Sequence, residues 1–302
     1  MRGGEQNSSA PTNSPVVIVK TATSIDDLKN LLKGKVGRTS SIGFVPTLGA
    51  LHEGHISLFE RAKRDNDTTI VSIFVNPLQF TEEGYRDYPR DIESDSVKAE
   101  EAGVDILFAP STEEIFPPGY QAEFSLPHLF KALETQKIVW HYKGVLAVVL
   151  KLFNIVQPDR AYFGMKDPHQ LILIKKMCRD LNLPVEIVSC ETIREEDGLA
   201  KSSRNRLLST SERSASAVVY KALCLAVEAA KVGGVSAMPE GLKILRKTIE
   251  AEPLARIEHI EISDDETLEP AGPGSKGAFA YAAVSIGGKR LTDNVRFKLG
   301  QS

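Results

Sequence analysis

Gly43-Phe-Val-Pro-Thr-Leu-Gly-Ala-Leu-His52-Glu-Gly-His55 is the stretch that decides the reading of this chain. An apolar strand, Ser41 to Val45, runs into a Pro/Gly turn, and two histidines three apart open an amphipathic helix from His55 to Arg64. Ile56, Leu58, Phe59 and Ala62 recur at helical spacing and can face a sheet. A strand, turn and helix in this order aim backbone N–H groups and two imidazoles at whatever lies above the strand end. The helix N-terminus there is an anion site.

Outward from that stretch, strand and helix signals alternate. Thr69–Val75 is a β-branched run suited to a buried parallel strand. A helix is expected from Asp91 to Ala102 and a strand over Val104–Ala109. Residues 110–140 read as irregular, with Pro110, Pro117, Pro118 and Pro127. Gly144 to Val156 reads as a buried helix, Ala161–Gly164 as a strand, His169–Leu181 as a helix and Val185–Cys190 as a strand. This rhythm predicts an α/β fold with a Rossmann-like, doubly wound parallel sheet that binds ligands at the carboxyl ends of its strands. After about residue 193 the pattern changes. Helices Ser211–Val232 and Ser236–Ala251 precede strands Ile257–Ser263 and Ala278–Ile286, which predicts a smaller C-terminal α+β domain. The expected division is a disordered tail over 1–14, a ligand-binding domain over 15–192 and a second domain over 193–302.

Composition narrows the function. Charged residues make up 25% of the 302 and the formal net charge is −3, which argues against general nucleic-acid or membrane-surface partners. The longest apolar run, Gly144 to Leu150, is too short to span a bilayer. Cys178, Cys190 and Cys224 are widely spaced without a C-x-x-C, so they read as reduced thiols in a cytoplasmic protein. The first 14 residues lack an apolar signal region. His52-Glu-Gly-His55 is not H-E-x-x-H and has no third ligand, so no protein-held metal is expected.

Three further turns carry polar groups. Asn76 and Gln79 follow the Thr69–Val75 strand and either face the crevice or satisfy the turn itself. In Tyr162-Phe-Gly-Met-Lys166-Asp167-Pro-His-Gln170, Gly164 lets a ligand approach, and Lys166 supplies a mobile charge for phosphate. Asp167 either accepts ribose hydroxyls or caps the next helix, and Gln170 lies one turn in. Asp197-Gly-Leu-Ala-Lys201-Ser202-Ser203-Arg204-Asn205 is a basic, hydroxyl-rich loop that can fold over a polyphosphate, or a solvated linker.

The H-x-G-H spacing resembles the HIGH signature of nucleotidylyltransferases and class I aminoacyl-tRNA synthetases. Five segments together resemble the pantoate–β-alanine ligase family, in the family's order from about residue 16 to near the C-terminus. They are P-T-L-G-A-L-H-E-G-H, V-S-I-F-V-N-P-L-Q-F, Y-P-R, K-L-F-N-I-V-Q-P-D-R-A-Y-F-G-M-K-D and R-E-E-D-G-L-A-K-S-S-R-N. The resemblance implies ATP and Mg²⁺, pantoyl adenylate formation with loss of pyrophosphate, and then attack by the β-alanine amine with release of AMP. It implies that His52 and His55 contact the phosphates, with His55 the proton donor. Lys166, Ser202, Ser203 and Arg204 would stabilise the pyrophosphate side. Pro46, Thr47, Leu48, Gly49, Gly164, Asp167, Ile193 and Lys201 would complete the ATP site. Leu48, Asn76, Gln79, Tyr88, Glu134 and Gln170 would hold the small substrate, under a C-terminal lid, in a homodimer.

The sequence departs from the family pattern at several points. Pro168 and His169 replace Y-Q, Lys201 replaces Met, and Thr135, Ile138 and Val139 replace Gly, Arg and Pro. An apolar residue in place of a cation can change recognition greatly. The alternative left open is the same adenylate chemistry on another hydroxy acid or amine, and beyond it a non-catalytic nucleotide-binding relative.

Overall fold

The computed structural model of the chain describes residues 19–33, 40–133 and 136–299. The expectations for residues 1–14, for Glu134 and for Thr135 fall outside these.

The apolar runs form one six-stranded parallel sheet. Its strands are β1 (Lys20–Ala22), β2 (Ile42–Thr47), β3 (Thr68–Ile73), β4 (Ile106–Phe108), β5 (Arg160–Gly164) and β6 (Glu186–Cys190), in the order β1-β4-β3-β2-β5-β6. Between them run α1 (Ile25–Leu31), α2 (Glu53–Asp65), α3 (Glu82–Arg86), α4 (Ile92–Glu101), α5 (Thr112–Ile115), α6 (Pro127–Lys131), α7 (Gln136–Val156) and α8 (Pro168–Asp180). Alternate residues of each strand enter opposite cores. Val45, Val71, Leu107 and Tyr162 pack under α2 and α4 with Leu58, Phe59, Ala62 and Ala99. Phe44, Ile70, Ile106, Ala161 and Phe163 pack on the other face with α7 and α8. Burying a side chain the size of Phe59 stabilises by about 1.5–3 kcal/mol. β2 pairs with β3 on one side and β5 on the other, so the winding reverses between β2 and β5. The ligand crevice of such a sheet opens above the carboxyl ends of those two strands.

Residues 110–140 are more regular than expected. They carry α5, α6 and the first turn of α7, eight residues before Gly144. β-branched Ile138 and Val139 and aromatic Trp140 are weak helix formers, but Ile138 and Val139 are partly buried against the core, and this tertiary contact overrides propensity. Gly144 is an interior position selected by close approach. A Cβ there would lie 2.3 Å from the Leu78 carbonyl oxygen. By length and composition alone Ile138–Val156 is long and apolar enough to cross a membrane, which corrects the reading based on Gly144–Leu150. Here it is a core helix, with Tyr142, Val145, Leu146, Val149, Leu152, Phe153 and Val156 buried.

The C-terminal part contains α9 (Thr210–Gly233) and α10 (Met238–Glu250) on an antiparallel sheet of β7 (Ala255–Asp264), β8 (Gly277–Ile286) and β9 (Lys289–Lys298). β9 is a strand beyond the two expected. Gly287 and Gly288 join it to β8 with φ of 56° and 76°, the conformation a tight hairpin requires. β8 is buried on both faces. Ala278, Ala280, Ala282 and Val284 meet α9 and α10, whereas Phe279, Tyr281 and Ala283 join the core of the parallel-sheet part.

Candidate active site

The turn after β2 delivers two imidazoles. His52 is the N-cap of α2, and its Nδ1 accepts from the Gly54 N–H at 3.1 Å. The His52 N–H donates to Nδ1 of His55 at 3.3 Å. Both Nδ1 atoms are therefore acceptors, so each neutral ring carries its proton on Nε2. The ring centroids are 4.1 Å apart. Burial pushes the His55 imidazole down to about 3, helped by His52 and Lys98. His52 is also lowered, by burial first and then by Lys166, Arg206, Lys98 and Lys201. The turn thus presents two neutral N–H donors within a field of cations at a helix N-terminus.

Asp95 and Lys98 of α4 hold this turn, and the sequence reading did not single them out. The buried Asp95 carboxylate accepts from the N–H groups of Ala50 and Leu51, each at 2.8 Å. Lys98 Nζ donates to the Leu51 carbonyl at 3.0 Å. Ala50 has a φ of 52°, a left-handed conformation that costs a non-glycine residue about 1 kcal/mol, and these contacts fix it. Nothing in the local sequence marks them, because Asp95 is buried only by the turn it holds.

Beneath the histidines lies a pocket of about 220 Å³. Pro46, Thr47, Leu48, His55, Gln79, Tyr88 and Gln170 line it, and Val145, Val148, Val149 and Leu152 of α7 form its apolar side with Phe74 and Phe163. Asn76 lies behind it. Its amide donates to Gln79 Oε1 at 2.9 Å and to the Gly144 carbonyl at 3.0 Å, so it structures the turn and orients Gln79. Gly49 faces a neighbouring cavity instead.

The β5 turn contributes Gly164, Lys166 and Asp167. The space beside Gly164 is open. Asp167 caps α8 through the Gln170 N–H at 3.0 Å, and its two oxygens share the single Tyr142 O–H donor at 2.9 and 3.1 Å. Lys166 Nζ donates to the Thr292 carbonyl at 3.2 Å. Burial lowers its ammonium, and Asp293 offsets part of that. In the third segment, Ser202 caps a short helical turn by accepting from the Arg204 N–H at 3.3 Å, and Ser203 is exposed. Ile193 is 37% exposed, and its carbonyl accepts from the Lys201 N–H at 2.9 Å. Lys201 forms an ion pair with Glu53. The structure brings Arg204 to the wall of a second cavity, of about 700 Å³, with Gln79, Ile138, Trp140, His141, Asp167 and Arg290. Gln79 lines both cavities. No group of three His, Cys, Asp or Glu able to hold a metal occurs among the described residues.

Pro168 and His169 have structural places. Pro168 is the first residue of α8, where proline is favoured. His169 is buried between Tyr281 and Phe279, and its Nε2 meets Glu261 of β7 at 2.5 Å. Burial pushes the Glu261 carboxyl up, but His169 and His259 outweigh it and hold it down at about 2. Because the folded value lies below the ordinary 4.5, the stabilisation is complete above 4.5 and is lost as pH falls towards 2. A Glu261→Gln variant should therefore be less stable than the parent at pH 6, with the gap closing towards pH 2 in urea titrations. A gap constant over that range would contradict the assignment.

The sequence profile of the family described as Pantoate-beta-alanine ligase matches residues 20–296. The pantothenate synthetase of Aquifex aeolicus (strain VF5) is 47% identical over 272 residues, covering 89% of this chain and 96% of that one. That of Clostridium botulinum (strain Loch Maree / Type A3) is 44% identical over 280 residues, covering 91% and 98%. Among solved structures, a pantothenate synthetase from Thermus thermophilus superposes with a TM-score of 0.82 at 42% identity, covering 92% of this chain and 99% of that one. The pantoate–β-alanine ligase from Francisella tularensis, complexed with β,γ-ATP and β-alanine, superposes with a TM-score of 0.72 at 32% identity, covering 92% and 97%.

Proposed function

This chain belongs to the pantoate–β-alanine ligase family, and on that premise we propose how its own residues carry the ATP-dependent condensation of (R)-pantoate with β-alanine. One observation carries the reading. The 220 Å³ pocket has an apolar α7 side, two glutamine amides and His55 at its rim. Pantoate matches this lining, with a gem-dimethyl group for the apolar side and hydroxyls and a carboxylate for Gln79 and Gln170. Leu48 and Tyr88 close the pocket around it.

A carboxylate becomes an acylating agent only when its oxygen joins a good leaving group. The pantoate carboxylate attacks the α-phosphorus of ATP, the bond to the β-phosphate oxygen breaks, and pyrophosphate leaves. Charge builds on the phosphates, so catalysis is positioning and charge stabilisation. His52 and His55, both neutral, donate Nε2–H hydrogen bonds to phosphate oxygens. This refines the expected role of His55: it acts as a hydrogen-bond donor. Lys166, Ser202, Ser203 and Arg204 face the pyrophosphate side, while Pro46, Thr47, Gly164, Asp167 and Ile193 border the nucleotide; Gly49, turned to the neighbouring cavity with a φ of 83°, serves the turn itself. The β-alanine amine then attacks the acyl carbon from the larger cavity, which meets the first at Gln79, and AMP departs. The C-terminal sheet covers the crevice and keeps water from the adenylate. The family resemblance implies Mg²⁺ as well, which would accompany the ATP phosphates and offset their charge.

Pro168 and His169 are accounted for by capping and by the domain contact, so they no longer favour a different acceptor. Free Cys178, Cys190 and Cys224 support a reducing, cytoplasmic setting, and the family resemblance supports a homodimer. Size-exclusion chromatography with light scattering tests the latter.

The deciding assay is pyrophosphate release with ATP, Mg²⁺ and pantoate, with and without β-alanine, with products identified by mass. Pantothenate and AMP support the reading, whereas an adenylate that β-alanine cannot discharge contradicts it. Lys166→Ala should lose well over about tenfold in adenylate formation with an unchanged circular dichroism spectrum. A rate near that of the parent would remove Lys166 from the phosphate site.

A further inference from the structure

The loop carrying Ser202, Ser203 and Arg204 is anchored at its base to the C-terminal part. Arg194 pairs with Asp293 of β9 at 2.6 Å, and the Arg194–Ala200 bridge closes the stem. Lys201 follows that stem, its N–H on the Ile193 carbonyl at 2.9 Å, and its side chain reaches α2. Lys201 pairs with Glu53, the first residue of α2, which lies between His52 and His55 in sequence. Glu195 of the same loop stands 3.9 Å from the Lys201 ammonium. The Lys201 side chain is 24% exposed and Glu53 72%. Exposed ion pairs contribute little, but this lysine is confined between two acids and its charge is felt at His52.

We propose that Lys201 is a positioning residue: with Glu53 it clasps the Ser202–Arg204 loop onto the N-terminus of α2, joining the two walls of the phosphate site before nucleotide arrives. Lys201 acts through Glu53, and the lost freedom of the loop is what favours nucleotide binding. The inference rests on the phosphate-site reading above.

Three variants test it: Lys201→Met, Glu53→Gln and Lys201→Arg. Two readouts are used, amide hydrogen exchange of residues 196–208 in the free enzyme and the Kd of a non-hydrolysable ATP analogue. The KM for ATP is compared with kcat in parallel. The clasp requires Lys201→Met and Glu53→Gln each to speed exchange and to weaken the analogue by about two- to fivefold. It also requires kcat to change less than KM, and Lys201→Arg to retain both properties. Tighter analogue binding by Glu53→Gln would make Lys201 a phosphate ligand with Glu53 its competitor, and would overturn the clasp. Unchanged exchange in both single variants would overturn it as well. Exchange in the free enzyme is independent of turnover. A parent enzyme without pantoate-dependent pyrophosphate release but with the full exchange pattern would therefore refute the functional reading alone.

Discussion

His55→Ala lowers pantoate-dependent pyrophosphate release by about a hundredfold or more, the scale found when a preorganised donor to a transition-state oxyanion is removed. His55 lines the small pocket proposed to hold the acid. Its ring is held by the His52 N–H at Nδ1, which leaves the Nε2–H free to point at ligand. Alanine removes that donor and also the partner of a helix-capping N–H, worth about 1 kcal/mol of stability. His55→Gln separates the two effects, because its amide can still accept from His52. The capping interaction then survives while the donor is misplaced. With an imidazole value near 3, His55 is already neutral at pH 6 and above, so the parent rate shows no rising limb from its titration between pH 6 and 9. A His55→Ala variant within threefold of the parent rate would eliminate this residue from the chemistry.

Arg194→Ala destabilises the fold by about 3–5 kcal/mol, the loss expected when one member of a buried ion pair is removed. Arg194 donates to both oxygens of Asp293, at 2.6 and 3.0 Å, and to the carbonyls of Gly198 and Asn294 at 2.9 and 3.1 Å. Its guanidinium lies 3.9 Å over the Tyr220 ring. Asp293 is 2% exposed, so the substitution leaves a carboxylate buried without its main partner. The neighbouring Asn294 amide donates to the carbonyls of Met165 and Lys166 at 2.8 and 3.0 Å, which ties this cluster to the turn after β5. Urea unfolding measures the loss. Arg194→Ala combined with Asp293→Asn should recover part of it, because the stranded charge is gone. A single-variant loss below about 1 kcal/mol would mean that the pair is solvated rather than buried.

How much of this was legible in the sequence follows the range of the interactions involved. The parallel strands showed because each is a short apolar run whose periodicity is local. The hairpin into β9 is legible too, through Gly287-Gly288 and the alternation of Leu291, Val295 and Phe297, although Asp293 interrupts that alternation. Asp293 is inward because Arg194, 99 residues away in sequence, meets it there. The early start of α7 was hidden because Ile138, Val139 and Trp140 disfavour a helix locally, and only the core that Ile138 and Val139 meet reverses this.

By itself the sequence determined the strand–turn–helix that presents His52 and His55, the βα rhythm that makes a doubly wound sheet, and the family. All of these depend on residues within one or two turns of each other, or on linear motif order. Tertiary structure alone decided which polar groups are spent and which are free. Asn76 serves the turn and Gln79 the pocket, His169 binds Glu261 instead of facing the crevice, and Lys201 is held by Glu53. A side chain's chemistry is encoded where it stands, but its hydrogen-bond partners and its dielectric surroundings come from segments that only the folded chain brings within reach.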